Sequence, residues 1–184
     1  MVLQLTLAAT GVLRNWAATP PPIAPVLLVT LVLTIVLARR SPGVNAGFAT
    51  LIGVQAFRLP LELLMHKAAA DGLMPRQMTF PAGNFDIATG ITALPVAWLA
   101  ARDQAPRWLL VAWNAMGSAL LAIIIGMAVA STPVFHAFGP EHLNTWIADA
   151  PYIWLPGVLV PTALFGHIVI FRKLRRRRVG YPTG

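Results

Sequence analysis

Cysteine is absent from the 184 residues, which excludes a disulfide framework, thiol chemistry and cysteine-ligated metal centres. Charge is scarce as well. Asp, Glu, Lys and Arg together make up 11% of the chain, about half the usual share of a soluble domain. Serine occurs only at Ser41, Ser118 and Ser131, and neither G-x-S-x-G nor H-E-x-x-H is present, so no catalytic residue is expected. Ser118 reads instead as one rung of a stripe of small residues. The first 19 residues lack the basic start of a secretory signal, and Arg14 follows their apolar part. Residues 1–22 therefore read as a retained interfacial segment, with a short extra buried helix as the alternative.

What is present is hydrocarbon. Hydrophobic residues make up 57% of the chain, the mean hydropathy is +0.70, and several apolar runs approach the ~20 residues that span a bilayer. The expected fold is an all-α integral membrane bundle of five transmembrane helices at about 23–38, 46–66, 80–101, 108–131 and 152–171. These spans form a membrane domain over 23–171, followed by a basic tail over 172–184. With the C-terminus cytoplasmic and the N-terminus outside, Arg39, Arg40, Arg102, Arg107 and the six basic residues of the tail all fall inside. Only Arg14, Lys67 and Arg76 then fall outside, a split that follows the positive-inside rule. The tail reads as an anchor to anionic lipid headgroups rather than as a nucleic-acid site, since no aromatic residues interleave it.

Within this apolar background, VQAFRLPLELLMH (54–66) carries Gln55, Arg58, Glu62 and His66. At about 100° per residue these four fall within roughly 80° of one another, a single polar stripe on one helix. Pro60 lies in its middle and is expected to kink it. The third span brings Asn84 and Asp86 to the same outer level, so the ligand- or proton-binding candidates are Gln55, Arg58, Glu62, His66, Asn84 and Asp86. Counting by depth puts Asn114 and His167 in a second, inner polar layer. Two stripes of small residues, 90–93–97 below Asp86 and 114–118–122–126–130 in the fourth span, suggest close helix packing.

One guanidinium and two carboxylates leave the outer layer at formal charge −1, which a bound cation or a shared proton would balance. The competing interpretation is a staple in which Arg58 forks to Glu62 and Asp86 and joins two helices. A metal at His66, Asp71, His136, Glu141 and His142 matches no ligand spacing, and a haem between His66 and His167 would need both at one depth. Neither a metal nor a cofactor is expected.

FRLPLE, MTFPAGNFDI, the Trp113-Asn114 pair, YIWLP and Gly166-His167 resemble strings in a group of small polytopic bacterial inner-membrane proteins. The likeness runs from about Gln55 to Phe171. It implies a helical fold in a bacterial cytoplasmic membrane and carries no activity, cofactor or ligand. The expected function is that of a non-enzymatic membrane protein with an outward-facing polar site for a small cation, proton or polar solute. In that reading Glu62 and Asp86 bind or relay, Arg58 sets their charge state, and Asn84 and Gln55 orient them. The alternative is an accessory subunit of a larger membrane complex, its polar stripe serving helix–helix assembly; a membrane partner subunit or homo-oligomer is the partner to expect.

Overall fold

The structure is a computed structural model that describes residues 2–41 and 46–179, with side chains described up to residue 176. Arg177 and Arg178 of the expected lipid anchor therefore have undescribed side chains, and 180–184 lie outside the described residues. The described chain is helical, without strands. Its α-helices are α1 (Val2–Ala9), α2 (Ile23–Arg40), α3 (Phe48–Val54), α4 (Arg58–Ala70), α5 (Ile87–Ala101), α6 (Arg107–Ala130) and α7 (Val160–Val179). Among the described residues, four helical stretches are long and apolar enough to cross a membrane: Ile23–Arg40, Phe48–Ala70, Arg107–Ala130 and Leu155–Arg176.

Proline decides how several of these elements begin. Pro25 sits in the first turn of α2, where its missing N–H would have had no helical partner. Pro60 occupies the same kind of position in α4, and a 3-10 turn, Gln55–Phe57, joins α3 to α4 immediately before it. Pro156 falls in a π-turn, Leu155–Leu159, that leads into α7.

The third expected span is shorter than its sequence suggests. Phe80–Ala82 forms a 3-10 turn and Gly83 takes φ +116°, so regular helix starts only at Ile87. At 15 residues, α5 is about 22 Å long, less than the ~30 Å of hydrocarbon. The residues before it fold inward, burying Met74, Met78, Thr79 and Asn84. Gln77 Nε2 fastens this loop to the one after α6, donating to Ser131 Oγ at 3.1 Å and to the His142 carbonyl at 2.8 Å.

Helix α2 packs against α7, as does α6, while α5 lies against α3 and α4. Two apolar clusters result. One, towards the N-terminal end, contains Ile23, Met65, Met78, Leu121, Trp146 and Ala163. The other, at the opposite end, contains Ala38, Ile52, Ala93, Leu110, Trp113 and Ile170. Arg58, Glu62, Asn84, Asp86, Asn114 and His167 are buried at the level between them. At the far end Arg172 donates to the carbonyls of Ala38 and Ser41, satisfying acceptors left open where α2 stops.

The N-terminal segment contributes α1, which buries Ala8 and joins α2 through Gln4 Nε2 to Thr30 Oγ1 at 3.0 Å. Arg14 pairs with Asp149.

Candidate functional site

The polar level is centred on Arg58, which is 1% exposed. Its position follows from close backbone packing: a Cβ on Gly90 would collide with the Leu59 backbone nitrogen and come within 3.0 Å of the Arg58 carbonyl carbon. With glycine there, α5 approaches α4 closely enough for Arg58 to meet the residue that precedes α5. Arg58 Nε lies 3.1 Å from Asp86 Oδ2. The Asp86 carboxylate thus sits at a helix N-terminus, whose partial positive charge adds to that of the guanidinium.

The other face of the guanidinium meets α7, with Arg58 Nη1 3.2 Å from His167 Nε2. An arginine can only donate, so Nε2 accepts and His167 carries its proton on Nδ1. That proton points to Asn114 Oδ1 at 2.8 Å, and Asn114 Nδ2 donates to the His167 carbonyl at 3.1 Å. Gly117 makes room for the imidazole, because a Cβ there would lie 2.6 Å from His167 Cε1. Trp113 places its ring 5.9 Å from the imidazole and donates from Nε1 to Thr92 Oγ1 at 2.9 Å.

Glu62 has a different neighbour. Asn84 Nδ2 lies 2.9 Å from both Glu62 oxygens and 3.0 Å from the Met78 carbonyl, while Asn84 Oδ1 accepts from the Asp86 N–H at 3.1 Å. One amide therefore ties Glu62 to both the loop and the start of α5. The ion pair of Arg58 is with Asp86, not with Glu62. Gln55, fully buried, donates to the Ala163 carbonyl at 3.2 Å. Gly166 leaves space for that amide.

The two polar layers expected from depth are one. Asn114 and His167 join Arg58, Asp86, Glu62 and Asn84 because α7 continues helically to Val179, past the basic residues taken as its membrane end. Arg58 also spans part of the depth with its own length. The fork of Arg58 to both Glu62 and Asp86 is replaced by a fork to Asp86 and His167. His66 is exposed and stands apart, its ring 4.8 Å from that of Phe80.

Thr89 and Trp113 also belong to this level, although neither is among the candidate site residues that the sequence offers. Thr89 is fully buried three residues beyond Asp86, on the same face of α5, so its spacing from Asp86 was the available signal. Arg58 Nη2, Asp86 Oδ1, Thr89 Oγ1 and Gln55 Oε1 are buried without a hydrogen-bond partner among the described residues. Formal charges of +1 on Arg58 and −1 on each carboxylate leave the level one negative charge in excess. Among the described residues, no three histidine, aspartate or glutamate side chains are grouped to hold a metal.

The chain belongs to the family described as a domain of unknown function (DUF8737), which matches residues 22–175. No curated protein and no solved structure matches it.

Proposed function

We propose that this member of the family is a non-enzymatic protein of the bacterial cytoplasmic membrane whose buried polar level takes up and releases a proton. A small cation is the rival occupant. The chain crosses five times with its N-terminus outside, α5 and the inward-folded loop before it together making the third crossing. Glu62 is the group that takes the proton. Asp86 is the anion that Arg58 holds, and Asn84 positions Glu62.

The observation that carries this reading is the unequal treatment of the two carboxylates. Asp86 has the guanidinium at 3.1 Å and a helix N-terminus behind it, whereas Glu62 is 2% exposed and its hydrogen-bond partner is a neutral amide. A carboxylate buried without a paired cation is costly, and protonation removes that cost. Access is from the end that carries Asn84 and Gln77, by displacement of the loop over 71–86.

Infrared difference spectroscopy of the reconstituted protein through a pH titration tests the proposal. A protonated-carboxyl band is expected that Glu62→Gln removes and Asp86→Asn leaves in place. A band that survives Glu62→Gln, in a variant that still elutes as a single folded species, would sink the assignment.

The second reading is the structural staple, supported by the way Arg58 and Asn114 link α4, α5, α6 and α7 within one chain. It predicts that the titration shows no carboxyl band at all.

A further inference from the structure

A groove of about 670 Å³ runs between α2, α6 and the π-turn that leads into α7, a size within the usual range for small-molecule sites. It exists because α2 and α6 both pack on α7 and leave a gap between themselves. The walls are Leu27, Leu28 and Leu31 on one side and Ile124, Ile125 and Ala128 on the other. Met78 and Ile147 also line it, and Trp16, Thr19 and Thr132 lie where it meets the loops at the N-terminal end.

Three observations restrict what can occupy it. The walls offer almost no hydrogen-bonding groups, so water, which needs two to four polar partners, is not held there. Leu28 is 61% exposed and α2 buries only Ile23 and Ala38, so the groove opens onto the face of the chain least covered by protein. In a bilayer the material at that opening is hydrocarbon. Trp16 at one end suits the interfacial level, where an acyl chain gives way to its glycerol ester.

We propose that this groove holds one phospholipid acyl chain as a resident lipid, distinct from the exchanging lipid around the protein. The site stands independently of the proton chemistry at Glu62. The lipid enters sideways from the bilayer, with its tail between α2 and α6 and its headgroup beside Trp16 and Thr19.

The test is native mass spectrometry of the full chain, released into mild detergent from nanodiscs of palmitoyl-oleoyl phosphatidylglycerol. The wild type is expected to keep one phospholipid through a wash that strips the surrounding lipid. Ala128→Trp, which places an indole inside the groove, is expected to keep about tenfold less. Leu28→Trp blocks the exposed lip without demanding interior space, and it decides the matter where Ala128→Trp does not fold. Loss of all lipid from the wild type, or undiminished retention in both variants, overturns the proposal. So does a wild-type dimer that the variants dissociate, since the groove would then seat a second copy of the chain.

Discussion

Arg58 meets one carboxylate and one imidazole on separate elements, and each of those partners is itself buried. Removing it leaves Asp86 without its cation, a loss that costs about 3–5 kcal/mol in buried pairs. Arg58→Ala is therefore expected to lower the midpoint of thermal unfolding in detergent sharply or to prevent accumulation altogether. Arg58→Lys should recover only part of the loss, because an ammonium on a flexible stem does not reproduce a fork aimed at two partners. A single melting series across wild type, Lys and Ala checks the ranking, and equal midpoints would refute it. Most members of this level were legible in the sequence, since ionisable and amide side chains are conspicuous inside apolar runs. Their pairing was not. Depth counted at about 1.5 Å per residue places side chains as points and ignores reach, which is how His167 came to be set apart from Arg58.

The buried helix faces depart from the four-residue stripes for one geometric reason. A four-residue step turns about 40° beyond a full circle, so a run of such steps walks off the face where it began. His66 continues the step from Arg58 to Glu62 and lies exposed, whereas Met65 and Ala69 carry the buried face onward. The same drift undoes the expected stripe on α6: Asn114 is buried, Ala122 and Gly126 are exposed, and Leu110, Trp113, Gly117, Leu121 and Ile124 form the inner face. Alternating steps of three and four residues keep to one side. The two glycines on these helices should consequently behave in opposite ways. Gly90→Ala drives a methyl group into the Leu59 backbone and is expected to destabilise by about 1–3 kcal/mol. Gly126→Ala meets nothing within 4 Å and should be neutral or stabilise by up to about 1 kcal/mol. Thermal midpoints of the two variants measure the contrast; matching shifts would mean that the α4–α5 approach is not what Gly90 permits.

At the scale of the whole molecule, helical membrane character was readable from hydropathy, while the start of α5 was obscured by Phe80, Ala82 and Phe85, apolar residues in the turns before it. Orientation can be tested directly because the chain carries no cysteine. A cysteine introduced at Ala137, in the loop after α6, should react with a membrane-impermeant maleimide on intact spheroplasts. One at Gln104, between α5 and α6, should react only after lysis. Both positions are exposed, and the reverse pattern would invert the proposed topology. The pairing of α2 with α7 also has a consequence in time. Helix α2 leaves the ribosome before its principal neighbour α7, and the carbonyls of Ala38 and Ser41 await Arg172. Until α7 is synthesised, α2 lacks the helix it packs on most, so this pairing forms only after α3, α4, α5 and α6 have been made.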